Sequence, residues 1–264
     1  MTKTGVDTAA LLDLAIRGAR AAGVELMARY GHVQGLDSKS SATDPVSDAD
    51  RAAEAILVKL ITDERPDDGL LGEEGAARES NSGLRWVIDP LDGTVNYLYQ
   101  LDNFAVSVAV EDAEGALVGV VHNPTNGRTY RAVRGGGAGV DGRTLHVNDP
   151  VPMKRALIAT GFGYRADVRA AQGAVVARLL PLVRDIRRIG SAALDLCTVA
   201  SGAVDGYFEE GVKAWDVAAG GLIAREAGAS YAVISPTGMQ TGCLAAGPAL
   251  FHELRHELRT PHKP

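Results

Sequence analysis

The sequence predicts an α/β protein in which mixed sheets carry helices on their faces. Two long N-terminal stretches place apolar residues at helical spacing, and the middle of the chain is strand-rich with short turns. From about Pro150 onward, strands and helices alternate. The 264 residues can bury roughly 70–75% of their unfolded surface. With 46% hydrophobic and 23% charged residues the chain reads as globular rather than disordered. A net charge of −6 argues against a general nucleic-acid surface, which needs Lys and Arg to neutralise phosphates. Cys197 and Cys243 lack a CxxC partner or a neighbouring His, so they are expected to be reduced core residues. Met1 to Asp7 has no apolar signal region, and no apolar run reaches membrane-spanning length. The expected compartment is the cytoplasm, without membrane or nucleic-acid partners.

The first helix is expected from Asp7 to Tyr30, with Leu11, Leu14, Ala15, Gly18, Ala22 and Leu26 inward and Gly31 as its stop. After a polar loop, Asp48 to Glu64 reads as a second helix with Ala53, Ile56, Leu57, Leu60 and Ile61 inward and Ser47 or Asp48 as cap. Leu70-Leu71 is a short strand, and Trp86-Val87-Ile88 is a buried one that Pro90 is expected to end. Strand-like runs follow at Phe104 to Val110, Leu117 to His122 and Arg128 to Val133, joined by hairpins. Then come a strand at Leu157 to Thr160, a helix at Val168 to Val183 and a strand at Arg187 to Ile189. Gly190-Ser191 opens a helix through Ala200, and Val204 to Phe208 is a strand. Trp215 to Ala227 is a helix, Tyr231 to Ile234 and Leu244 to Ala246 are strands, and a final helix runs from Ala249 to Leu258. The change of pattern places a sub-domain boundary at Pro150 to Pro152, dividing residues 1–150 from 151–264.

Chemistry concentrates in Trp86-Val87-Ile88-Asp89-Pro90-Leu91-Asp92-Gly93-Thr94-Val95-Asn96-Tyr97. Asp89 and Asp92 flank a rigid kink, where two full charges repel by several kcal/mol at intermediate dielectric. A divalent cation removes that repulsion, and oxygen ligands of this kind suit Mg²⁺, Mn²⁺ or Ca²⁺. Gly93 and Thr94 open the next segment with free backbone amides that can receive a phosphate.

Asp-Pro-x-Asp-Gly-Thr resembles the signature of the inositol monophosphatases, Mg²⁺-dependent and lithium-sensitive phosphomonoesterases. Lys39-Ser40-Ser41-Ala42-Thr43-Asp44-Pro45-Val46-Ser47-Asp48-Ala49-Asp50 is similar to the family's mobile metal loop, with Ser47 where many members have Thr. Gly72-Glu73-Glu74 resembles its Gly-Glu-Glu motif, and Trp215-Asp216-Val217-Ala218-Ala219-Gly220 its second signature. Likeness runs from about Asp7 to Pro248. The resemblance implies a layered αβαβα sandwich and two to three Mg²⁺ per subunit, with Mn²⁺ as an alternative. Glu73, Asp89, the Leu91 carbonyl, Asp92 and Asp216 would hold the ions, with Glu74 orienting a water and Lys39 on the mobile loop. It implies a catalytic part for Asp50, Glu73, Asp92 and Thr94. The substrate would meet Asp92, Gly93, Thr94, Gly190, Ser191, Ala192, Glu209 and Asp216. Glu209 is favoured over Glu210 because strand alternation sets it opposite Phe208.

The implied reaction is hydrolysis of myo-inositol 1-phosphate by a metal-activated water, in a homodimer. Same-fold alternatives are phosphatases for histidinol phosphate, 3′-phosphoadenosine 5′-phosphate or fructose 1,6-bisphosphate. A different class is a regulator that binds transcription machinery, as some bacterial relatives do. Two other patterns are discounted. Gly135 to Gly142 lacks a Gly-Lys-Ser/Thr ending and closes on Asp141-Gly142, a hairpin signal rather than a phosphate loop. His252-Glu253-Leu254-Arg255-His256 fits a zinc-hydrolase pattern, yet His262 is its sole further candidate ligand, and an exposed terminal helix is expected.

Overall fold

A computed structural model describes residues 6–32, 37–38 and 45–259, with backbone alone at 37, 38, 45 and 46. Helix α1 (Thr8–Arg29) starts where the Asp7 carboxylate accepts the amides of Ala9 and Ala10. Strands β1 (Asp37–Ser38) and β2 (Pro45–Val46) form an antiparallel ribbon. Helix α2 (Asp48–Glu64) opens with a capping box between Ser47 and Asp50, so Ser47 is the cap.

The first sheet comprises β3 (Gly69–Gly72), β4 (Ala77–Arg78), β5 (Arg85–Asp92), β6 (Ala105–Asp112), β7 (Gly115–His122), β8 (Thr129–Val133), β9 (Gly137–Val140) and β10 (Arg143–Thr144), with the single-turn helix α3 (Thr94–Leu98) after β5. Its order is β10-β9-β8-β7-β6-β5-β3-β4, antiparallel except for β3 beside β5. The hairpins expected from the sequence are present, and Asp141 and Gly142 both take the positive φ that a tight turn between β9 and β10 demands.

The second sheet comprises β11 (Leu157–Thr160), β12 (Asp185–Arg187), β13 (Gly206–Glu210), β14 (Ser230–Ile234) and β15 (Gly242–Ala246), ordered β12-β11-β13-β15-β14. Between them in sequence run α4 (Ala166–Leu179), α5 (Ala192–Ala200) and α6 (Ala214–Glu226), and α7 (Pro248–Arg259) follows β15.

Period-two alternation stacks these elements in five layers. Trp86 and Ile88 of β5 pack with Leu11, Leu14 and Leu57 of α1 and α2, while Val87 packs with Ala193, Cys197 and Ala219 of α5 and α6. In β13, Tyr207 faces the same middle helices and Phe208 faces α4 and α7. The order is helix, sheet, helix, sheet, helix, the sandwich the family resemblance implied.

Three expectations need correction. Pro90 does not end its strand: pairing with β6 shifts register between Asp89 and Asp92, and the proline falls in that bulge, where no amide is needed. Helix α4 stops at Leu179 rather than Val183, because Pro181 has no amide to continue it. Strand β12 lies two residues earlier than expected, its register set by parallel pairing of Leu157 with Asp185. Both cysteines are buried and unbridged. Among the described residues no helix is long and apolar enough to cross a membrane.

Candidate active site

The bulge at Pro90 turns the end of β5 toward the middle layer. Asp89 is 1% exposed, and its Oδ1 accepts the Leu91 amide at 2.9 Å, a local turn that fixes the carboxylate. Gly93 takes φ +94, and a Cβ there would lie 3.0 Å from the Asn103 carbonyl and 3.2 Å from that of Gly190. Only glycine meets both conditions. Thr94 then starts α3, its hydroxyl 3.1 Å from both Asp50 Oδ1 and the Leu91 carbonyl. Asp50 is fully buried and also accepts the amide and hydroxyl of Ser47.

The remaining carboxylates come from separate elements. The Glu73 amide donates to the Ile88 carbonyl at 3.2 Å, extending the parallel ladder one step and setting Glu73 beside Asp89. Asp216 is the third residue of α6 and accepts the Lys213 amide at 2.6 Å, so it caps its helix and faces the site together. Asp92 is held from the middle layer: its Oδ2 accepts the Ser191 hydroxyl and the Ala193 amide at the start of α5.

These groups meet in one cavity of about 480 Å³. Its lining includes Glu73, Asp89, Leu91, Asp92, Gly93, Thr94, Gly190, Ala192, Glu209 and Asp216. Asp50, Glu74 and Ser191 are not part of that lining. Asp50 stands behind Thr94 and Ser191 behind Asp92, whereas the Glu74 amide is tied to Glu54 at 2.9 Å. Lys39 lies outside the described residues. Glu209 lies against the backbone of Gly161, and its Oε2 accepts the Tyr207 hydroxyl at 2.9 Å. Glu210 also borders the cavity, but Thr237 and Ser235 occupy its carboxylate.

Crowded burial sets the electrostatics. Asp89 is pushed well above the usual carboxylate range by desolvation and then by the charges of Glu73, Asp92 and Asp216. Burial also raises Asp216, with Asp92 next in effect. Asp92 is raised to about 6 by burial, with the donated bonds of Ser191 and Ala193 opposing. Burial lifts Glu209 to about 7 against the Tyr207 hydrogen bond and the Arg188 charge. A divalent cation fits this donor set, since hard anionic oxygens with no buried cation beside them among the described residues are what it neutralises. No three acidic, His or Cys side chains among the described residues form a ready-made ion cage. The donors are gathered but not closed.

A family model described as the inositol monophosphatase family matches residues 7–263. The chain belongs to that family. Members are phosphomonoesterases. Inositol-1-monophosphatase SuhB of Mycobacterium tuberculosis is 41% identical over 251 residues, covering 90% of this chain and 86% of the relative. Nus factor SuhB of Haemophilus influenzae is 42% identical over 221 residues, 83% of each chain. Among solved structures, the extragenic suppressor protein suhB of Bartonella henselae superposes with a TM-score of 0.88 at 33% identity, covering 96% of this chain and all of that one. An IMPase from Thermotoga maritima gives 0.84 at 30% identity, with 94% and 96% covered.

The family motifs leave several neighbours of the site unmentioned. Glu54, a buried acid on the inward face of α2, receives the amides of Glu74 and Ala76 and anchors the turn after Glu73. Asn96 donates to the carbonyls of Asn103 and Ile189 at 2.6 and 2.9 Å, joining α3 to the Gly190 turn. Phe162 to Arg165, after the carboxyl end of β11, and Arg188 complete one side of the cavity. A loop leaving a parallel strand end is where a sequence reading can look for them.

Proposed function

We propose that this chain is a Mg²⁺-dependent phosphomonoesterase acting on a polyol phosphate, with myo-inositol 1-phosphate as the leading substrate. The observation that carries the reading is the convergence of Glu73, Asp89, Asp92 and Asp216 from three separated segments on one cavity beside the Gly93–Thr94 turn. On this reading residues 1–150 supply most of the ion-holding groups and residues 151–264 supply Asp216 and the ring contacts.

Glu73, Asp89, Asp92, Asp216 and the Leu91 carbonyl would hold two to three ions. When bound, such ions supply charge neutralisation and Lewis-acid activation of water and phosphate oxygen. The chain's own groups do the rest. Donation from the Thr94 hydroxyl to Asp50 leaves its lone pairs to accept a proton from an attacking water, with Asp50 as the final base. Gly93, Thr94 and Glu209 line the cavity, where the two amides would receive the phosphate and Glu209 would accept hydroxyls of the polyol ring. Gly190 and Ala192 leave room for that ring, while Ser191 acts through Asp92.

Phosphate release from myo-inositol 1-phosphate, histidinol phosphate, 3′-phosphoadenosine 5′-phosphate and fructose 1,6-bisphosphate, with and without Mg²⁺ and millimolar lithium, tests the reading. Release that ignores Mg²⁺ would overturn it. A second role in binding transcription machinery is supported by the Haemophilus influenzae Nus factor, which is as similar as the phosphatases. Capture of transcription proteins by an Asp89→Asn variant would support that role, and its absence would count against it.

A further inference from the structure

The cavity is bipolar in a way the hydrolysis of a neutral polyol phosphate does not use. Opposite in sign to the four carboxylates, its lining carries the cations Arg165, Arg188 and Lys213. Arg165 is spent on Asp167 at 2.6 Å, and Arg187, one residue before Arg188, is spent on Asp185 at 2.6 Å. The side chains of Arg188 and Lys213 make no ion pair or hydrogen bond among the described residues. Arg188 does not swing loose, because it lies over the Gly190 backbone. A Cβ on Gly190 would stand 2.3 Å from Arg188 Nη1 and 2.9 Å from Asn96 Nδ2. The positive φ of Gly190 and its missing side chain thus give the guanidinium its seat. Its charge is felt at Glu209 and Asp195, which places it beside the ring side of the cavity.

We propose that Arg188, assisted by Lys213, forms a subsite for a second anionic group, so that a phosphorylated polyol that also carries a phosphate or a carboxylate is turned over better than its otherwise identical neutral counterpart. The inference rests on the phosphomonoesterase reading and deepens it. Arg188 and Lys213 are exposed at the cavity, so a polyol with hydroxyls alone satisfies Glu209 but leaves both cations to water and gains nothing from their charge. A second anion supplies the missing counter-charge, and the planar guanidinium matches phosphate or carboxylate oxygens with two parallel bonds. It cannot occupy the opposite end, where the carboxylates already repel one another. Arg188 is therefore a specificity-determining residue, and it takes no part in bond cleavage.

Three six-carbon probes that differ at one end isolate this effect: glucitol 6-phosphate, gluconate 6-phosphate and glucitol 1,6-bisphosphate, with myo-inositol 1-phosphate as reference. Phosphate release is followed in Mg²⁺. The expected result is a kcat/KM about 10- to 100-fold higher for at least one doubly anionic probe than for glucitol 6-phosphate, the range a charged hydrogen bond supplies. The difference should lie in KM and shrink with added salt. Whichever charged probe is favoured identifies the anion. Arg188→Gln should bring the probes within about 3-fold of one another, and Arg188→Lys should restore part of the preference through charge alone. Equal turnover of neutral and charged probes by the unaltered protein, with myo-inositol 1-phosphate hydrolysed, would overturn this inference and leave the phosphatase reading intact. An equal loss on every probe in Arg188→Gln would overturn it too, assigning Arg188 to the shared phosphate. No phosphate release from any probe or from the reference would end both.

Discussion

Ser191→Ala tests whether the middle layer holds the metal end of the site together. The Ser191 hydroxyl donates to Asp92 Oδ2 and accepts the Leu194 amide at 3.3 Å, so one oxygen serves a buried carboxylate and caps α5. Removing a hydrogen bond to a charged group costs about 1.5–3 kcal/mol. Losing a helix N-cap costs about 1 kcal/mol. The Ala193 amide stays on Asp92 at 2.8 Å and retains part of the geometry, so the combined loss should be about 2–4 kcal/mol. At about 2–4 °C per kcal/mol for chains near this size, the melting temperature should fall by about 4–16 °C. The measurement belongs at pH 8, where Asp92, raised to about 6, is ionised. A group that orients a metal ligand typically changes metal affinity by about 10–100-fold, so the Mg²⁺ concentration for half-maximal phosphate release should rise by at least about 10-fold. Ser191→Thr, which keeps the hydroxyl, should recover most of both effects. A stability change below about 0.5 kcal/mol with an unmoved Mg²⁺ dependence would refute the idea that α5 positions Asp92.

Asp89→Asn should abolish Mg²⁺-dependent phosphate release while raising the melting temperature of the metal-free protein, because Asp89 sits among like charges; a lower melting temperature in EDTA would contradict the assigned repulsion. In EDTA, stability should fall as pH rises from about 5.5 to 8. Glu209 at about 7 and Asp92 at about 6 lie above their unfolded values, so the folded state holds protons the unfolded chain releases, and this contribution is lost as pH passes through the folded values. His122, lowered by burial, acts in the opposite sense at the acid end; a melting temperature that climbs steadily across the window would show that the carboxyl groups do not dominate. Glu226→Ala should cost about 1 kcal/mol, since its carboxylate receives the amides of Gly135 and Gly137 at 2.8 Å, and should leave phosphate release unaltered; urea unfolding and the phosphate assay decide both.

Local chemistry made much of this molecule legible in its sequence. The periodic apolar positions of α1 and α2 mark both helices almost to the residue, because each has one buried stripe and a side-chain cap at its start. Asp141-Gly142 marks its hairpin because both positions need positive φ. His252 and His256 are exposed on α7, whose Leu250, Phe251, Leu254 and Leu258 are buried, the exposed terminal helix that the sequence predicts. Long-range placement was harder to see. Pro90 looks like a strand end when only its missing amide is considered, whereas the neighbouring β6 accommodates it by shifting register. Strand β12 has weak apolar character and takes its position from β11, which the local sequence does not encode. Family motifs mark the residues proposed to touch the reaction. They do not mark Glu54, Asn96 or Ser191's bond to Asp92, because those contacts join segments 7 to 99 residues apart.

The bulge at Pro90 explains why such a repulsive cluster survives folding. An uninterrupted strand would send Asp89 and its alternate neighbours to fixed faces of the sheet, with the apolar packing of Trp86, Val87 and Ile88 continued on both sides. Shifting register releases two carboxylates from that alternation just where β3 ends at Gly72, one residue before Glu73, and α6 begins near Asp216. The backbone supporting them is anchored elsewhere: Trp86 donates to the buried Asp68, and Asp68 also receives Arg65 and Ser82. That neighbouring network keeps Asp68 below the usual carboxylate range even though burial opposes it, the reverse of what happens at Asp89. Two buried aspartates on adjoining segments thus divide the tasks. One is saturated with donors and stabilises the sheet, and the other is surrounded by acids and stays available for a cation.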